Sequence, residues 1–162
     1  MPYTSSNAAI RGRDTISARL AECYVTINNQ RYNFMQIVDF EAKVEKTKSA
    51  VPRLGAIMVG HKSVAMEGTF SGTAHYMTSV LRELVKNFKD TGVDTYFEIQ
   101  VSNEDPSSAT GRQTIIFYDC NMDNSILAKF DADGEYLDED ISGTFEDFSI
   151  PEKFADLDGF LA

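Results

Sequence analysis

The chain is poor in several things at once. It has no tryptophan, four prolines, two histidines and two cysteines in 162 residues. Two cysteines far apart, Cys23 and Cys120, cannot build a disulfide framework, and with no secretory signal they are expected as two reduced, partly buried thiols. Together with His61 and His75 they show no metal-ligand spacing, and His75 is expected as a solvated or hydrogen-bonded side chain. No apolar run approaches the length that crosses a bilayer. The opening, MPYTSSNAAIRGRD, has no apolar h-region and so does not read as a secretory signal. Positive charge is also scarce: 15 Lys and Arg against 25 Asp and Glu give a net charge of −10. A protein that grips nucleic acid by its phosphates needs a basic patch. The balance argues against gripping, and leaves open DNA sliding past a repelling wall.

What is present is alternation. In VDFEAKVEK, Val38, Phe40, Ala42 and Val44 alternate with Asp39, Glu41, Lys43 and Glu45. In KSVAMEGTFSGTAHY, Val64, Met66, Gly68, Phe70, Gly72, Ala74 and Tyr76 alternate with Ser63, Ala65, Glu67, Thr69, Ser71, Thr73 and His75. Period two puts one set on a buried face and the other on a wet face. Both runs exceed the common five or six residues of a strand, and their polar faces carry no aromatic residue. That combination suggests a sheet facing a large aqueous space.

The apolar fraction of 43% and charged fraction of 25% are those of an ordinary globular chain, and the length fits one domain. Residues 1–20 are small and polar and read as a flexible arm; 21–162 read as a single β domain with a long loop at 47–61. Strands are expected at 22–28, 31–46 (with a bulge near Ile37-Val38), 62–76, 96–101, 113–122, 125–130 and 141–150 (with a bend near Glu146-Asp147, ended by Pro151). Asn28-Asn29 and Asp123-Asn124 are turn signals, and 102–111 is a loop by composition. One amphipathic helix is expected over about 79–91, with Thr78 or Ser79 as cap, Val80, Leu81, Leu84, Val85 and Phe88 on one face, and Gly92 as its stop. Its stripe must pack on a sheet. Phe154, Leu157 and Phe160 remain in a short tail, available for docking. Charge is uneven, with basic residues in the first half and acidic ones in the last third. This reads either as a solvated acidic face or as head-to-tail complementarity between copies.

Chemistry is hard to assemble. GAIMVGHKS at 55–63 approaches the phosphate-cradling GxxxxGK[ST], but His61 displaces Lys62 and a strand, not a helix, is expected to follow. Asp119, Asn121 and Asp123 match three calcium-loop positions, but Asn124 stands where the glycine is needed and Phe130 where the bidentate glutamate is needed. No Ser-His-Asp or Cys-His set can be built, and aromatic and basic residues are not interleaved as a single-strand platform requires. Neither a catalytic residue, a cofactor nor a metal is expected.

The order VEKTKSAVPRLGAIMVGHKSVAMEGTFSGTAHYMTS, DTYFEIQV, YDCNMD and GTFEDFSIPEKF resembles the XkdM-type phage tail tube proteins from about Asp39 to Phe154. The GHK turn, the GTxSGTAxxY strand and the FEDFxxPE ending are the specific parts; the longer N-terminal arm departs from the pattern. The resemblance implies a two-sheet β sandwich or barrel with a flanking helix, similar to the inner tube of type VI secretion. It implies hexameric rings stacked into the tube of a contractile phage tail or phage-tail-like bacteriocin, serving DNA passage or membrane puncture. The implied partners are further copies of the chain, the tail sheath protein, baseplate or initiator and tape-measure proteins, and DNA only as passing cargo. The implied setting is a virion or phage-like particle made in the bacterial cytoplasm. Asp39, Glu41, Lys43, Glu45, Ser63, Glu67, Thr69, Ser71 and Thr73 would then face the lumen. The loop residues Val51, Arg53, Leu54, Ile57, Met58 and Val59, exposed and apolar apart from the arginine, would meet the next ring; the same loop could instead fold back on its own domain. A monomeric β-barrel binding a small apolar ligand is the alternative, and a hydrolase using acidic pairs a weaker third.

Overall fold

The structure is a computed structural model in which residues 11–157 are described. The first ten residues of the expected arm, and Phe160 of the tail, lie outside that range. The chain is mainly β and antiparallel, with a single α-helix among the described residues, as the alternation predicts. The elements in order are β1 (Ala21–Ile27), β2 (Gln30–Asn33), β3 (Ile37–Val51), β4 (Gly60–His75), α1 (Val80–Thr91), β5 (Phe97–Glu104), β6 (Arg112–Met122), β7 (Asp138–Phe145) and β8 (Asp147–Glu152). The described residues fall into two compact units: 11–35, 98–117 and 148–157 in one, 36–97 and 118–147 in the other.

In the first unit the strand order is β2-β1-β5-β6, and β8 also pairs with β6. Asn28 and Asn29 close the β1–β2 hairpin with Ile27 opposite Gln30. Both have positive φ, 50° and 65°, as a two-residue type I′ turn requires. Residues 11–20 are held by the loop after β5. The backbone N–H of Ser17 donates to Asp105 Oδ2 at 3.0 Å, and Ser108 Oγ donates to the Asp14 carbonyl at 2.9 Å. That loop begins at Asp105 because β5 runs on to Glu104. Pro151 lies inside β8 and does not end it; β8 pairs only with β6, so an edge strand tolerates a residue without an N–H.

The second unit is built on β3, β4 and β7, with the end of β6 beside β7. The strand expected over 31–46 is broken: β2 stops at Asn33, and β3 starts at Ile37 with a bulge before Asp39. The change of parity at Ile37-Val38 therefore marks a new strand as well as a bulge. The long loop expected over 47–61 shrinks to residues 52–59, because β3 and β4 stay paired out to Val51 and Gly60. Beyond Val44 both faces of this ribbon are exposed, so no burial selects apolar residues on alternate positions and the pattern fades while the strand continues. The strand expected over 125–130 does not form. β7 is flanked by β4 along its length and by the end of β6 at Gly143 and Thr144, and residues 125–130 add no strand to it.

Helix α1 begins with the Val80 N–H donating to Thr78 Oγ1 at 3.3 Å and ends at Gly92 in the left-handed region, whose N–H reaches the Phe88 carbonyl at 2.8 Å. Its stripe is covered unevenly. Leu81 is buried, Leu84 and Val85 are half-buried, and Phe88 is exposed.

Candidate functional site

The register of β3, β4 and β7 decides which side chains share a face. Directly opposed residues point the same way. Asp39 stands opposite Thr73, Glu41 opposite Ser71, Lys43 opposite Thr69 and Glu45 opposite Glu67. Across β4, Thr73 opposes Asp140, Ser71 opposes Ser142, and Thr69 opposes Thr144. One polar face thus runs unbroken over three strands. Thr73 Oγ1 donates to Asp140 Oδ1 at 3.3 Å, His75 Nδ1 lies 2.6 Å from Asp138 Oδ1, and Lys43 pairs with Glu45 at 3.3 Å. Asp140, Ser142 and Thr144 were readable as the alternates of Ile141, Gly143 and Phe145. Ser63 leaves this face: a bulge in β4 near Val64 sets it opposite Lys48, whose side of β3 is that of Val44 and Lys46.

The other face is apolar near the body of the unit. Phe70 stacks on Phe40 at 6.0 Å between centroids and meets Phe97 edge-on at 6.4 Å. Two glycines make room for rings. A Cβ on Gly143 would lie 2.1 Å from the Asn121 carbonyl oxygen and 2.6 Å from the Phe70 ring, and one on Gly68 would lie 2.4 Å from the Phe145 ring. Farther out this face is not buried as the alternation suggests. Val44, Val64 and Met66 are exposed, Met66 at 62%. They lie on a ribbon that projects past the packed rings, with no third strand over them among the described residues, while Val38 is exposed at the other end of β3, in the bulge before Asp39.

The ribbon's tip gathers the residues expected at a contact between rings. Leu54, Ile57, Met58 and Val59 are exposed, and Val51 is exposed at the last pair of the ribbon. Arg53 turns inward to hold the loop, its Nη2 donating to the Met58 carbonyl at 2.8 Å.

One buried polar group escaped the alternation argument. Glu139, opposite Ala74 in β7, sits on the helix side of the sheet and pairs with Arg82 Nη2 at 2.7 Å. The Arg82 guanidinium also lies 4.0 Å over the Tyr76 ring and bonds the Thr78 carbonyl. Burial pushes the Glu139 carboxyl above its ordinary range, and the attraction and hydrogen bond of Arg82 pull the other way. The group clamps α1 to the sheet. Two open clefts lie along α1, one of about 310 Å³ lined by residues including Arg82, Val85 and Leu127, the other of about 430 Å³ lined by residues including Leu84, Phe88, Phe97 and Met122. Cys23 is no nucleophile, since burial pushes its thiol up to about 12. Among the described residues no helix is long and apolar enough to cross a membrane.

A uniform polar sheet face without reactive groups fits a wall better than a catalytic cleft. The family model for phage tail tube proteins matches residues 8–152. The chain belongs to the phage tail tube protein family. It is a structural protein and not an enzyme. It is 36% identical over 148 residues to the phage-like element PBSX protein XkdM of Bacillus subtilis, covering 91% of this chain and 98% of that one. It is 34% identical to YqbM of the same organism, over 90% and 96%. A solved Bacillus subtilis structure, 33% identical, matches with a TM-score of 0.51 over 85% of this chain and all of the other. The same fold recurs at 10% identity in a chain of the sheath–tube complex of an extracellular contractile injection system, TM-score 0.63, over 91% and 97%.

Proposed function

We propose that this tail tube protein closes into hexameric rings through the long β3–β4 ribbon, and that the rings stack into the inner tube of a contractile phage or phage-like tail. The observation that carries the reading is the polar face Asp39, Glu41, Lys43, Glu45, Glu67, Thr69, Ser71 and Thr73, extended by Asp140 and Ser142, on a ribbon whose reverse side leaves Val44 and Met66 exposed beside Lys46 and Lys48. Among the described residues β3, 15 residues long, pairs only with β4. A free edge of that length templates further pairing, and closure with a neighbour removes it. The same neighbour would cover Val44, Val64 and Met66.

If six copies each give four strands about 4.8 Å apart and tilted about 40°, the cylinder is on the order of 48 Å across its backbone. A bore on the order of 40 Å remains, wider than a DNA duplex. Acidic lumen residues repel phosphate and lower friction for passing DNA. Sheath, baseplate and tape-measure proteins are the partners this role requires, and a virion or phage-like particle is its setting. The alternative of a ligand-binding barrel draws nothing from the open clefts along α1.

Electron microscopy of purified protein tests the assembly: rings and tubes are expected, and monomer alone at high concentration overturns it. Orientation has its own test. A cysteine placed at Thr69 or Ser71 should become inaccessible to a gold-sized maleimide once tubes form, while one at exposed Lys86 should stay reactive. Equal labelling of both in tubes would reverse the assignment of the lumen face.

A further inference from the structure

Unit two has oppositely charged ends. Between residues 46 and 66 the only charged side chains are Lys46, Lys48, Arg53 and Lys62. Setting those four aside leaves the rest of a −10 chain at −14. The cationic segment is the outer ribbon, and its tip exposes Leu54, Ile57 and Met58. At the opposite end of β4, His75 stands opposite Asp138, where the loop of residues 123–137 rejoins the sheet. That loop carries Asp131, Asp133 and Glu135, all exposed, beside the exposed Leu127, Phe130 and Tyr136. It is fastened at that end. The Tyr76 N–H donates to the Leu137 carbonyl at 2.9 Å, Tyr136 meets the His75 ring edge-on at 5.6 Å, and Lys129 Nζ donates to the Asp138 carbonyl at 2.7 Å. Gly60 and His75 are the ends of one strand, so at about 3.3 Å per residue the two surfaces are about 50 Å apart.

We infer that the ribbon tip of one copy docks on the 127–136 loop of another copy, lysines against Asp133 and Glu135, and Leu54, Ile57 and Met58 against Phe130 and Tyr136. This rests on the tube reading and names the receptor for its axial contact. Each end exposes large apolar side chains next to charged ones, the two kinds of group an interface combines, and the two charges are of opposite sign. Because the surfaces differ and lie at opposite ends, the contact is heterologous. Directed along the ring axis, such a contact does not close on itself and builds an open stack. Neither surface can satisfy a second copy's matching surface, since like would face like.

The test compares four samples of the full chain at low salt by electron microscopy and sedimentation: wild type, K48E/K62E, D133K/E135K, and an equal mixture of the two variants. These side chains are exposed, and matching melting curves check that the fold is kept; K48Q/K62Q and D133N/E135Q replace any reversal that fails this check, with loss of stacking expected in each. Wild type is expected to stack, each reversed variant to stop at single rings, and the mixture to stack again, because every junction in an alternating stack then has opposite charges. Variants that stack like wild type, a mixture that fails to stack, or wild-type rings that never stack overturn the inference and leave ring formation standing. Wild type found only as monomer overturns the tube reading, and this inference with it.

Discussion

Phe70 and Thr69 are neighbours with opposite duties. Phe70 is 3% exposed between Phe40 and Phe97, whereas Thr69 points to the polar face opposite Lys43 and Thr144. Phe70→Asp places an unpaired charge among rings and is expected to abolish cooperative melting; Thr69→Asp should melt within a few degrees of wild type. Circular dichroism decides, and equal behaviour would invalidate the face assignment. Glu139 makes a second residue-level prediction. Arg82→Ala strands a buried carboxylate, at a cost of about 3–5 kcal/mol, while replacing both partners by apolar residues, as in R82M/E139L, restores most of that. The raised Glu139 pKa also sets a sign. The unfolded chain loses this proton first as pH rises, near the ordinary glutamate value. Stability from this group is therefore whole below that value and falls as pH climbs through the raised one. Melting temperatures of E139Q should lack that part of the decline, whereas an identical pH profile would contradict it.

At the level of elements, the two glycines that admit aromatic rings are the sharpest constraint. Gly143→Ala drives a methyl group into the Asn121 carbonyl and the Phe70 ring, and overpacking of this kind costs about 1–3 kcal/mol; denaturant unfolding measures it. Period two made β3, β4 and β7 legible, along with the polar face, because burial acts on alternate residues there. At Glu146 it read a bend within one strand, where the structure ends β7 and starts β8. It failed in two places for one reason, that strand extent is set by partners rather than by pattern. The ribbon runs on past Thr47 because each strand has the other, while residues 125–130 look like a strand but pair with none among the described residues. Ser63 was put on the wrong side because a bulge at Val64 leaves no mark in the composition. Glu139 could not be told from its solvated neighbours Asp138 and Asp140, since its partner Arg82 comes from a helix 57 residues away in sequence.

For the whole molecule, the docking of tip on loop turns strand length into a tube dimension. A span of about 50 Å along β4, tilted about 40° from the axis, projects to about 38 Å. Tubes of this protein are expected to show an axial repeat near that value in helical diffraction of micrographs. A repeat half as long or twice as long would be incompatible with the contact. Added salt should shorten the tubes before it dissolves the rings. The screening length falls from about 10 Å at 0.1 M to about 3 Å at 1 M, and the axial contact depends on charge more than strand pairing does.

The ribbon beyond Val44, wet on both sides, also bears on how growth begins. Two strands without a covered face hold together only marginally in water, so a lone subunit offers an arm whose amides exchange hydrogen quickly, and that exchange should slow sharply on incorporation. Two free subunits must each still their arm before gripping the other, whereas the end of a finished tube presents a surface already formed. In the tube proposed above, elongation would then outrun spontaneous initiation, and a template at one end would be enough to decide where, and how many, tubes are made.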